Sequence, residues 1–303
     1  MRLFLILPCL VPAFVLVAGE GEAVVKPGAA LEKLWGEGSF TEGGVWTRDG
    51  FLLFSDIGDR ILKFDPKTKL VTTFREPSGR ANGLILDAKG RLIAAEGANT
   101  GGNRRVSITE LDGRVRTLAD RYEGKRFNSP NDLAIDKAGR VYVSDPRYVG
   151  DEARELDFET VFRIDPDGSV HRLETSAFKP NGLAVTPDGK TLYVADNGPK
   201  RRALLAVDLD EKGNASRPRV IKDFGKGRGI DGMTVALDGR VVAAAGDGSQ
   251  AGVVVFSKEG KTVGFIPTPE TPTNVEFGGE NGSTLYVTAG KSLYRVETMM
   301  KGF

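Results

Sequence analysis

The chain has 303 residues, with 42 Lys+Arg against 41 Asp+Glu, a single histidine (His171) and a single cysteine (Cys9). That balance argues against a nucleic-acid partner, because phosphates reward a clustered basic surface. Cys9 lies in an N-terminal apolar run, so beyond it the chain holds no disulfide, no thiolate nucleophile and no cysteine metal site.

Residues 1–19 join Arg2 to an apolar run ending in small residues, the pattern of a signal peptide cut after Gly19. An uncleaved membrane anchor is the alternative, although Pro8 and Pro12 interrupt a run already short for a span. The expectation is an exported protein, periplasmic or secreted, free of the membrane after cleavage. Residues 20–303 read as one domain, and 39 glycines, 15 prolines and turn signals throughout make it all-β.

Residues 20–40 contain LEKLWGEG, expected to supply one strand. A unit of about forty to fifty residues then repeats. Each copy has a polar residue, an alternating apolar run and a turn glycine eight residues on: Glu42 to Gly50, Asn82 to Gly90, Asn131 to Gly139, Asn181 to Gly189, Asp231 to Gly239 and Asn274 to Gly282. A second strand returns from the glycine and two more follow, as in FLLFSD, RILKFD and LVTTF of the first copy. The third copy carries an inserted loop, PRYVGDEARELDF, and the sixth ends before a fourth strand. This pattern predicts a six-bladed β-propeller, four antiparallel strands per blade, its ring closed by the N-terminal strand.

In that fold the residue entering each innermost strand points to the central axis. Glu42, Asn82, Asn131, Asn181, Asp231 and Asn274 therefore ring one channel mouth, unless they merely cap strand entries. Carboxylates mixed with amides are hard oxygen donors suited to one divalent cation, Ca²⁺ foremost, with Zn²⁺ or Mn²⁺ as alternatives. His171 falls in an outer-strand pattern and reads as a surface residue, so a histidine base is not expected. What remains is metal-assisted addition of water to a carbonyl, with Asp231 as the catalytic proton acceptor.

Acids follow the ring positions by fourteen or fifteen residues: Asp56, Glu96, Asp145 and Asp196. An inner strand and its returning partner bring them to the same rim, where they either orient the ligand amides or bond local backbone. Arg80, Arg147 and Tyr148 fall on that rim as binders of substrate hydroxyl or carboxylate groups.

These motifs together resemble the SMP-30/gluconolactonase/luciferin-regenerating, or regucalcin-like, family. The matching pieces are TEGGVW at 41–46, RANGLILDAKGRL at 80–92, DRYEGKRFNSPNDLAID at 120–136, SDPRY at 144–148, PNGLAV at 180–185 and IDGMTV at 230–235. The resemblance implies a propeller with one divalent ion, usually Ca²⁺ or Zn²⁺, held by Glu42, Asn131, Asn181 and Asp231, the last also the favoured general base. Asn82 and Asn274 are then left to contact substrate or shape the pocket. Three departures bear on specificity: Gly44 replaces the proline of EGPxW, Arg147 stands where many members have a second proline, and Ser129 occupies the place of a substrate-binding arginine in animal members. The expected activity is a metal-dependent lactonase or carboxylic-ester hydrolase acting on a small sugar-derived lactone, as a monomer or small homo-oligomer. The alternative is a non-catalytic calcium-binding propeller that recruits a protein or glycan.

Overall fold

The computed structural model describes residues 24–99 and 101–303; the expected signal segment and its cleavage point lie outside them. Six four-stranded antiparallel sheets succeed one another along the chain. Their inner strands are Thr41–Trp46, Ala81–Leu86, Leu133–Ile135, Pro180–Val185, Ile230–Val235 and Pro272–Gly278. Each contacts the next and the sixth contacts the first, so the predicted propeller is closed. Glu32–Trp35, from the expected N-terminal stretch, pairs with Ser292–Glu297 as the fourth strand of blade six.

Closure is sealed by aromatic packing. Trp46 of blade one stacks on Tyr286 of blade six with centroids 5.4 Å apart, and Trp35 meets Phe54 edge-on at 5.7 Å. The second strands LLFSD, LIAAE and VYVSD are buried along their whole length because blades cover both of their faces. The core is accordingly divided between blades; Ile93 and Val106 of blade two, for example, pack with Val143 and Phe162 of blade three. A short hairpin, Arg121–Tyr122 with Lys125–Arg126, lies between those blades and was not anticipated.

The inner strands share a local device. Pairing slips between Glu42 and Gly44, between Ala81 and Leu84, between Pro180 and Leu183, and between Ile230 and Met233. A bulge breaks the alternation of the strand and re-aims a side chain, here at four of the ring positions, Glu42, Asn82, Asn181 and Asp231. The next residue is Gly43, Gly83, Gly182 or Gly232, where the neighbouring inner strand crosses too closely for a side chain. A Cβ on Gly83 would lie 2.6 Å from Asp132 Oδ1, and one on Gly182 2.2 Å from the Asp231 carbonyl oxygen. Bonds tie neighbouring blades together at this level: Gly83 N–H donates to Asn131 O at 2.7 Å, and Ser55 Oγ–H, from the second strand of blade one, donates to Asn82 O at 2.6 Å.

Candidate active site

Five of the six ring residues, Glu42, Asn82, Asn131, Asn181 and Asp231, line one cavity of about 770 Å³ at a mouth of the channel. Arg80 and Tyr148 line it too, as expected. Lys179 Nζ lies 4.7 Å over the Tyr148 ring, and burial raises the phenol's pKa.

Asn274 is the exception. It is buried and lines a separate cavity of about 260 Å³ with Asp132 and Glu276, and its Oδ1 accepts from Val275 N–H at 2.8 Å. The cause is register. In blade one Thr41 pairs with Asp56 and Glu42 follows it; in blade six Pro272 pairs with Ala289, so Thr273 follows in the equivalent place. The turn of blade six is no longer than that of blade one, but its inner strand runs one residue further before reaching it, so counting eight back from Gly282 stops one residue short, on the position that is glycine in four other blades. Asn274 is therefore corrected from a substrate contact to a residue of the lower channel. Thr273 is fully buried and donates to Thr41 O at 2.8 Å, joining blade six to blade one.

Arg147 is also corrected. Its side chain is buried, with Nε on Asn128 O at 3.2 Å and Nη1 on Gly150 O at 3.2 Å and Glu152 O at 3.0 Å, and it does not line the cavity. Its neighbour Tyr148 takes the inward position, while Arg147 braces the inserted loop. His171 is exposed on an outer strand and pairs with Asp165 at 3.2 Å, in keeping with a surface role.

The four rim acids do not reach the ligand amides; three of them hold the backbone that enters the ring. Asp56 accepts from Ser39 and Phe40 N–H at 2.9 and 3.0 Å, and Asp145 accepts from Asn128 and Ser129 N–H, both at 2.7 Å. Asp196 accepts from Phe178 and Lys179 N–H, both at 2.9 Å. In each case the amides belong to the residues three and two positions before Glu42, Asn131 or Asn181. Blade two differs: Glu96 pairs with Arg75 and Arg105 at 2.9 and 2.7 Å, and Asp59 takes over the amides of Gly79 and Arg80 at 2.8 and 3.2 Å.

Electrostatics single out the ring carboxylates. Burial, then repulsion from Asp231 and Asp132, holds the Glu42 carboxyl well above its ordinary range. Burial also raises Asp231, against the pull of two donors: Asn181 Nδ2 at 2.7 Å on Oδ1, and Arg228 Nη2 on Oδ2. Arg228 is fixed in turn by Gly246 O and Pro272 O, both at 3.0 Å from Nη1.

Sequence reasoning missed Arg228, because no other blade has an arginine three residues before its ring position. Asn197 was missed as well; it lines the cavity with Nδ2 on Ile230 O at 2.7 Å and a buried Oδ1 without a partner among the described residues. Asp132 was legible, since it is a carboxylate where four other blades have glycine. It accepts from Leu183 N–H of blade four at 2.9 Å, and burial raises its pKa to about 7.

Residues 40–291 match the family described as the SMP-30/gluconolactonase/LRE-like region. A gluconolactonase of Zymomonas mobilis is 30% identical, with 93% of this chain and 85% of that protein aligned. A pentonolactonase of Haloferax volcanii is 29% identical, aligned over 82% of this chain and 80% of its own. The solved structure of a gluconolactonase from Xanthomonas campestris superposes with a TM-score of 0.82 at 28% identity, covering 95% of this chain and 98% of that one. The fold, the ordered motifs and these likenesses together establish that the chain belongs to the SMP-30/gluconolactonase/LRE-like family.

Proposed function

We propose that the upper cavity hydrolyses a lactone with the help of one divalent cation held by Glu42, Asn131, Asn181 and Asp231. The observation that carries this reading is the pair of carboxylates, buried Glu42 and partly buried Asp231, facing one cavity whose remaining ring donors are amides. Two like charges in a desolvated place raise one another's pKa, and a divalent cation relieves both. All the donors are hard oxygens, which fits Ca²⁺, with Zn²⁺ or Mn²⁺ as alternatives. Asn181 spends its nitrogen on Asp231, which leaves its carbonyl oxygen for a cation.

When bound, the cation supplies Lewis acidity to an ester carbonyl. Asp231 takes the proton of the attacking water, and Arg228, anchored on two backbone carbonyls, favours the ionised form of that carboxylate against the effect of burial and orients it. Arg80, Asn82 and Tyr148 offer donors and acceptors to ring hydroxyls. The gluconolactonase and pentonolactonase relatives support a sugar lactone as substrate, and the basic start and apolar run of residues 1–19 support export. A passive binding propeller is less favoured, because apolar filling of the channel would avoid the desolvation of these charges.

The test is hydrolysis of aldonolactones followed by proton release, with Ca²⁺, Zn²⁺ or Mn²⁺ added to chelated protein. Asp231→Ala is expected to abolish turnover and retain the propeller's far-ultraviolet spectrum. Full activity in that variant, or after exhaustive chelation, would refute the assignment.

A further inference from the structure

The cavity carries more positive charge than a neutral sugar lactone needs. Arg80, Arg202, Lys226 and Arg228 line it, against Glu42, Asp231 and Asp247. With a divalent cation offsetting Glu42 and Asp231, Asp247 is the one acid left to face four cationic side chains. Two of these have no partner: neither the Arg80 guanidinium nor Lys226 Nζ makes a hydrogen bond or ion pair among the described residues.

Arg80 is the more telling of the two. Asp59 Oδ1 gathers the amides of Ser78, Gly79 and Arg80, and the turn leaves Arg80 in the left-handed region at φ 59°. A built loop thus delivers a half-buried guanidinium to the cavity with none of its five donors spent. A hydroxyl meets one such donor, whereas an anionic group accepts two in parallel and also balances the charge. Lys226 enters from blade five, opposite blade two across the ring, on a loop pinned by Arg202 Nη1 to Lys226 O and Gly227 O, both at 3.1 Å. It adds to the positive potential from the far wall.

We propose that the lactone bound here carries a second, anionic group, a carboxylate or a phosphate away from the reacting carbonyl, and that Arg80 grips it. This rests on the lactonase reading for the identity of the ring, so binding is measured apart from turnover. Three non-hydrolysable probes are titrated calorimetrically into the full chain with Ca²⁺: glucono-δ-lactam, its counterpart with a carboxylate at C6, and its 6-phosphate. At low salt at least one anionic probe is expected to bind about tenfold more tightly than the neutral one, a typical gain for a charge-assisted pair. The two anionic arms tell carboxylate from phosphate. High salt should shrink the preference, Arg80→Gln should remove most of it, Arg80→Lys should restore part, and Lys226→Gln should weaken it less. Equal or tighter binding of the neutral probe to the wild type, or a preference that survives Arg80→Gln, would overturn the proposal. A preserved preference in a protein that opens no lactone would instead sink the lactonase reading and leave the anion site standing.

Discussion

Gly182→Ala tests whether the close crossing of inner strands positions the chemistry. The added Cβ would lie 2.2 Å from the Asp231 carbonyl oxygen and 3.0 Å from Gly232 Cα, where ordinary contact begins at 3.4 Å. Those atoms are backbone, so blades four and five must part by about 1.2 Å at the residue proposed as ligand and base. Overpacking of this kind costs about 1–3 kcal/mol, a fall of several degrees in Tm for a chain of this size. A displacement of about 1 Å at a reacting group costs on the order of 100-fold in rate, so kcat should suffer more than stability. Gly44→Ala is the control: it lies in a matching strand, its nearest neighbours are 3.7 Å away, and it should stay near wild type in both measurements. Lactone turnover, Tm and the Ca²⁺-induced rise in Tm are read for both variants. The reasoning fails if Gly182→Ala keeps turnover within about threefold of wild type, or if Gly44→Ala is equally damaged.

Asp145→Ala strips two buried amides of their shared acceptor, and hydrogen exchange at Asn128 and Ser129 should quicken while Ca²⁺ affinity weakens through Asn131; unchanged exchange would show that the loop holds itself. Burial raises Glu276 to about 8, so the folded state binds more protons than the unfolded one between its ordinary pKa and that value, and stability falls as pH rises across the window. Asp132 and Asp145, both raised to about 7, add to the slope only up to neutrality. Glu276→Gln should therefore flatten the denaturation midpoint most clearly between pH 7 and 8, and an unaltered slope there would mean that Glu276 is charged in the folded protein. Arg228→Gln removes a donor that lowers the Asp231 pKa, so the acid limb of the kcat profile should move to higher pH; a fixed limb would mean that Asp231 is not the titrating base.

Much of the architecture was legible without coordinates because a propeller repeats one local grammar. A polar entry, an alternating strand and a turn glycine recur, and each strand's period of two assigns its residues to faces. Glu42, Asn82, Asn131, Asn181 and Asp231 were placed on one cavity by that periodicity, and the rim acids were placed beside them by the length of one hairpin. The same arithmetic failed at Asn274, where an inner strand longer by one residue shifted the count and a shift of one residue moves a side chain to another level. It failed differently at Arg147 and Tyr148, which are adjacent in an irregular loop where no period decides which one faces in. The tertiary structure alone decided what the rim acids bond, that Arg228 grips Asp231, and that Asp59 of blade one shapes the loop carrying Arg80. Each of these joins groups distant in sequence or held in loops, and their meeting is set by how neighbouring blades pack around the axis, a geometry that no local pattern encodes.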